Sequence, residues 1–191
     1  MGTVIVRSGP SGELPTARGG GDGSLTAPVR RVRPADAGRT RALRLEMLAD
    51  APLAFLETIA DAAARPHAQY AQRVAATSVG SQTAQFVADP GNGPFVGHAG
   101  GTVAPDDPGL TVIFAVYVTP AWRGRGVVAD LIAEVAAWSR AAGRPELLLE
   151  VVVGNHRALR AYERLGFVDT GVRVPHPTVP VLTELQMRKR A

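Results

Sequence analysis

The sequence predicts an α+β domain, and three features carry that prediction. Three apolar-rich runs at 83–88, 95–103 and 110–118 are separated by the turn sequences Pro90-Gly91-Asn92-Gly93 and Pro105-Asp106-Asp107-Pro108-Gly109, which reads as an antiparallel meander. An amphipathic helix follows, opening at Gly126 and ended by Gly143, with Val127, Val128, Leu131, Ile132, Val135 and Trp138 at spacings of three and four. Residues 146–153 then form a nearly continuous apolar run, the mark of a strand covered on both faces.

The remaining elements fall into place around these. Residues 1–26 are rich in Gly, Ser, Pro and Thr, so they are expected to be a flexible tail preceding one domain at 27–191, although Val4-Ile5-Val6 has the composition to pair with a sheet edge. Val29 to Arg33 alternates like an edge strand, and Pro34-Ala35-Asp36 caps a helix over 37–49 with Leu43, Met47 and Leu48 as its apolar stripe. After the break at Asp50 to Phe55, a second helical region ends near Ala75. The break reads as a helix connector, with Glu57 and Tyr70 placed where they can face a bound molecule. Beyond the strand at 146–153, Asn155 is a good N-cap for a short helix ending at Gly166, and Ala158, Leu159, Tyr162 and Leu165 share one face of it. Two strands, 167–174 and 181–187, finish the chain on either side of Pro175-His176-Pro177.

Composition narrows the function. With 191 residues, 46% hydrophobic and 20% charged, the chain suits one globular domain with a full core. It has no cysteine, which excludes disulfides, thiol nucleophiles and Cys-based zinc sites. No apolar run approaches the roughly 20 residues of a membrane span, so no membrane association is expected and a cytoplasmic setting is. The net charge of +4 comes almost wholly from arginine, Lys189 being the only lysine. Those arginines are interleaved with acids and apolar residues, without aromatic clusters, which argues for a phosphorylated small ligand rather than nucleic acid.

Three groups of residues carry candidate chemistry. Tyr117 to Val128 leaves a strand, turns at Pro120 and enters a helix through Gly124-Arg125-Gly126, a main-chain cradle suited to a pyrophosphate. Plain turn chemistry is the alternative. Glu150 lies between Leu149 and Val151 in a strand of buried type, either as a general base with a raised pKa or as an ion-pair partner of Arg157 or Arg160. Tyr162 lies on an apolar helix face, where a tyrosine packs as core or donates a proton to a leaving group. His98 sits within a strand without a second ligand at metal spacing and reads as structural.

Taken in order, Val118-x-Pro120-x-x-Arg123-Gly124-x-Gly126-Val127 and the run from Leu149 through Asn155, Ala158 and Tyr162 to Phe167 resemble the two signatures of the GCN5-related N-acetyltransferase superfamily. The resemblance spans about 28–190. It implies a mixed, mostly antiparallel sheet of six or seven strands, with strands four and five splayed around the arm of acetyl-CoA, flanked by about four helices. It further implies that the backbone of Val116, Tyr117 and Val118 bonds the pantetheine and thioester carbonyl. The pyrophosphate would lie on Arg123, Gly124, Arg125, Gly126, Val127, Val128 and Ala129, and Asn155, with Ala158 beside it, would hold the cofactor arm. Tyr162 would protonate the departing thiolate, and Glu150 would serve as base. Val128 departs from the family's usual Gly or Ala and puts cofactor affinity in question unless its side chain turns into the core.

The expected activity is therefore acetyl transfer from acetyl-CoA, without a metal, to a primary amine. Peptide N-termini, lysines, polyamines and aminated antibiotics all stay open, because the acceptor wall between Leu48 and Tyr70 and the final hairpin carry no recognisable code. An acyl-CoA sensor without catalysis is the alternative of a different class. A homodimer also stays open.

Overall fold

The computed structural model describes residues 27–191, so the expected flexible tail and its Val4-Ile5-Val6 segment lie outside the described residues. The elements run β1 (Val29–Arg31), α1 (Ala37–Asp50), α2 (Ile59–Ala64), α3 (His67–Thr77), β2 (Thr83–Ala88), β3 (Gly97–Ala104), β4 (Asp107–Val118), α4 (Val127–Ala141), β5 (Glu146–Val152), α5 (His156–Arg164), β6 (Val168–Pro175) and β7 (Thr183–Arg190). The strands form one mixed seven-stranded sheet in the order β1-β2-β3-β4-β5-β7-β6, in which only β4 and β5 run parallel.

The meander and the long amphipathic helix stand where the sequence puts them. Three details differ. The second helical region is two helices, because Pro66 forces Arg65 out of helical geometry (φ −66°, ψ 126°) and ends α2, raising the helix count to five. The middle strand begins at Gly97 rather than Phe95. The last strand extends to Arg190 because β7 inserts between β5 and β6 and pairs with β5 from Glu146–Arg190 to Val152–Glu184.

Two apolar layers hold the sheet. On one face, α4 presses Val127, Leu131, Ile132 and Val135 onto Phe86, Ile113, Leu147, Leu149 and Met187, and α5 adds Ala158, Leu159 and Tyr162 at the margin. The other face carries Leu43 and Met47 of α1 and Val74 of α3 against Val87, Phe95 and Tyr117. The long helices therefore cover β2 to β4 on both sides, as their period-3.6 stripes require.

Between β4 and β5 the sheet opens. Only Leu110–Glu146, Thr111–Leu147 and Val112–Leu148 pair, after which β4 continues to Val118 and β5 to Val152 without joining. The cause lies one strand away. The β3–β4 register jumps between His98 and Gly100, so Ala115 and Val116 face the single residue Ala99, and Ala115 adopts φ +52°. Such a bulge bends and over-twists its strand, here away from β5.

A charge cluster locks the start of the domain. Arg30 bonds both Asp36 and Asp89 at 2.7 Å, Arg39 reaches Asp89 at 2.6 Å, and the Arg39 guanidinium lies 3.8 Å above the Phe95 ring. Hydrogen bonds from Arg30 to Asp36 and from Arg39 to Asp89 outweigh burial and hold both carboxyls below the usual range. Stability from these carboxylates is complete above the unfolded aspartate pKa and drains away as pH falls through the depressed folded values. Denaturant unfolding should therefore show stability declining progressively below about pH 4, and Asp89→Asn should flatten that decline while lowering stability at neutral pH.

Candidate active site

The strand-to-helix turn closes the wide end of the gap. Pro120–Trp122 makes one 3-10 turn, and Gly124 and Gly126 then take φ +77° and +84°, a left-handed geometry that side chains resist. Among the described residues, the main-chain N–H groups of 124–128 find no acceptor, and these unpaired donors lie at the positive end of α4. An anion seated there would meet donors already aligned. Val128 packs partly against the core, so its side chain turns inward from this loop, and Ala129 bonds back to the Gly126 carbonyl at 2.8 Å.

The two arginines of the turn divide in function. Arg125 is exposed and lies 5.5 Å from the Trp122 ring centroid, within reach of a ligand on the loop. Arg123 is engaged within the protein. Its Nε donates to the Val118 carbonyl at 3.0 Å, its guanidinium pairs with Asp50 and covers the Tyr117 ring, and it thereby ties the turn to the end of α1.

Within the gap, the free edge of β4 offers Val116, Tyr117 and Val118. His98 Nδ1 stands 2.7 Å from the Ala115 carbonyl, which can only accept, so Nδ1 carries the proton. In a trans peptide the carbonyl and the next N–H point in opposite directions. Anchoring the Ala115 carbonyl on His98 therefore fixes the direction of the Val116 N–H. Burial pushes the His98 imidazole down to about 4, so it is neutral at physiological pH. Among the described residues no His, Asp and Glu cluster of metal-binding size occurs.

Across the gap, Asn155 Oδ1 accepts from Ala158 N at 3.2 Å and caps α5, leaving the Asn155 amide NH₂ without a partner among the described residues. Ala158 and Tyr162 follow on the face of α5 that packs on the core. The Tyr162 ring meets Phe167 edge-on at 5.8 Å, and desolvation raises its pKa, so the phenol stays protonated through the neutral range.

Glu150 differs most from its sequence reading. It is exposed rather than buried, and it meets neither Arg157 nor Arg160. Gln186 Nε2 donates to it at 2.9 Å. The expected cover on both faces ends after Leu148: Leu147, Leu149 and Val151 face α4, Leu148 is buried on the opposite face, and Glu150, next along that face, is exposed; Phe114 shares this face by strand alternation from the Val112–Leu148 pair. Beside it stands Glu184, a carboxylate that the sequence reading missed. Burial, together with the neighbouring Glu150, raises its pKa, against a lowering pull from His176. The alternation of Leu185 and Met187 with Glu184 and Gln186 was the signal available for it.

On this same face, α1, α3 and the sheet enclose a cavity of about 150 Å³ that reaches Phe114 and Ala115. The supposed connector is thus a wall: Glu57 and Tyr70 both line the cavity. Burial pushes the Glu57 carboxyl up, but Arg65 and Arg44 outweigh it and keep it below the usual range. Tyr70 is buried and donates to the Ala62 carbonyl at 3.2 Å. The floor is the Phe114 ring, lying flat over Gly100 where any Cβ would collide with it.

Comparison with known proteins agrees with this geometry. Residues 48–167 match the family model described as the acetyltransferase (GNAT) family. The chain is 32% identical over 151 residues to an aminoglycoside N(6')-acetyltransferase type 1 from Stenotrophomonas maltophilia, covering 74% of this chain and 86% of that protein. Its fold is shared by the putative acetyltransferase yncA from Salmonella typhimurium, solved with its cofactor acetyl-CoA (TM-score 0.67, 19% identity, 85% of this chain and 92% of that one). A GCN5-related N-acetyltransferase from Kribbella flavida is similar too (TM-score 0.66, 24% identity, 85% and 96%). With a family model over more than half its length and a curated relative matched along most of its own, this chain belongs to the GNAT acetyltransferase family and is an acetyl-CoA-dependent N-acetyltransferase.

Proposed function

We propose that acetyl-CoA enters the β4–β5 gap with its pyrophosphate on the N–H groups of 124–128, and that a primary amine attacks the thioester directly from the face carrying Glu150. The observation that carries this reading is the early end of β4–β5 pairing, which leaves two strand edges facing each other without hydrogen bonds between them. Strand edges need partners, and an extended pantetheine arm with two amides supplies them. Arg125 adds charge at the phosphate end, while Arg123 holds the turn in place.

The roles follow from the two faces of the sheet. The Val116 N–H polarises the acetyl carbonyl, its direction set through the His98 bond to Ala115. A free amine near pKa 10.4 is almost wholly protonated at neutral pH, so it must lose a proton before or during attack. Glu150 takes that proton directly or through water, with Glu184 beside it. The nitrogen bonds to the acetyl carbon, the C–S bond breaks, and the Tyr162 phenol on the opposite face hands its proton to the departing thiolate. Acetyl-CoA is made inside cells, which supports a cytoplasmic setting. The aminoglycoside named for the relative offers one acceptor class, as do peptide N-termini and lysine side chains.

A thiol-release assay with acetyl-CoA over an amine panel, beside calorimetry, tests the whole reading, since binding without release for any amine favours the sensor alternative. Tyr162→Phe should lower kcat by about a hundredfold or more, the scale of a lost general acid, with little change in acetyl-CoA Kd. Unchanged turnover removes Tyr162 from the mechanism. His98→Ala should lower kcat more than it raises the amine KM, whereas His98→Asn, which keeps a donor near the Ala115 carbonyl, should recover part of the loss. Equal effects of the two substitutions would reduce His98 to packing.

A further inference from the structure

The cavity beside the gap is built for one kind of charge. Arg44, Arg65 and Arg73 line it, with Glu57 as the single acid among its lining residues. Glu57 is occupied by Arg44, whose Nε donates at 3.0 Å, and by Arg65. Arg73 has no hydrogen-bond or ion-pair partner for its side chain among the described residues. The lining therefore carries three positive charges against one negative. Glu150 and Glu184 stand on the same sheet face beyond Phe114, on β5 and β7. The acceptor side is thus polarised, with guanidinium groups toward α1 and α3 and carboxylates across the gap.

We propose that the acceptor is a small primary amine that also carries an acidic group, its amine toward Glu150 and its carboxylate or phosphate against Arg44, Arg65 and Arg73. This rests on the transferase reading above and narrows it to a substrate class. Guanidinium forks match carboxylate and phosphate oxygens in bidentate geometry. A polycation placed against the same lining meets like charge, which works against it. Size points the same way. A cavity of about 150 Å³ holds the equivalent of roughly five waters, enough for a group of amino-acid size.

The test is steady-state kcat/KM on amine pairs that differ only in the acid: glycine against methylamine, phenylalanine against phenethylamine, and phosphoethanolamine against ethanolamine, with spermidine as the polycation. The acid-bearing member of each fitting pair should be preferred, and the carboxylate and phosphate arms say which acid the site takes. Arg73→Ala should shrink the preference ratio about tenfold, the scale of one lost hydrogen bond to a charged group, and Arg73→Lys should restore part of it. Because the ratio is compared between the unaltered enzyme and each variant, differences in amine basicity cancel from the change. Preference for spermidine or for the acid-free members, or a ratio that Arg73→Ala leaves unchanged, overturns the inference with acetyl transfer intact. CoA release with none of these amines overturns the inference; only the absence of release across the wider panel as well, with peptides, lysine and an aminoglycoside included, in an enzyme that binds acetyl-CoA, overturns the transferase reading with it.

Discussion

A single hydrogen bond sets the architecture of this site. The Ala115 carbonyl is held by His98 while Ala115 takes φ +52°, a left-handed conformation that costs a residue with a Cβ about 1 to 2 kcal/mol. Released from that bond, β4 would have reason to relax into regular pairing, and the gap that makes it different from an ordinary parallel neighbour of β5 would narrow. The strain is supported by a strand completely inside the sheet, between the α1–α3 layer and α4, where His98 cannot move aside without opening the core. On the other side, β7 pairs β5 along its whole length and keeps that strand from following β4.

The sheet then acts as a partition. Tyr162 stands in the layer made by α4 and α5, and Glu150 and Glu184 on the far face, so the mechanism proposed above places its proton donor and its proton acceptor on opposite sides of the sheet. Each environment suits its task. Burial raises the phenol pKa further above the neutral range, and in the proposed mechanism solvent around Glu150 would give the proton taken from the amine a path out.

Much of this was legible in the chain. Helical stripes of period 3.6, glycines at the turn and the Asn155 cap are local signals, and they placed the strand-to-helix loop and α5 where they stand. Glu150 was misread because an apolar run looks the same whether one face or two are covered, and only the departure of β4 uncovers the second. The tie from Arg123 to α1 was not legible because its partner, Asp50, lies 73 residues away. Glu57 sat in an apparent connector, and no local pattern says that Arg44 on α1 and Arg65 at the junction of α2 and α3 close on it. Glu184 showed its alternation but not its neighbour, which the insertion of β7 beside β5 supplies.

The bare backbone of Gly100 beneath the Phe114 ring gives the chamber an adjustable depth. The aromatic plate rests against main chain with nothing between, so it lies as low as a side chain can lie on that sheet. A methyl group added under it would raise the plate toward α1 and shrink the space from below without touching a single polar group, whereas trimming the plate itself would deepen that space. If the chamber receives the acceptor as proposed, its size is uncoupled from its charge, the one governed by a residue that has no side chain and the other by arginines on the opposite wall.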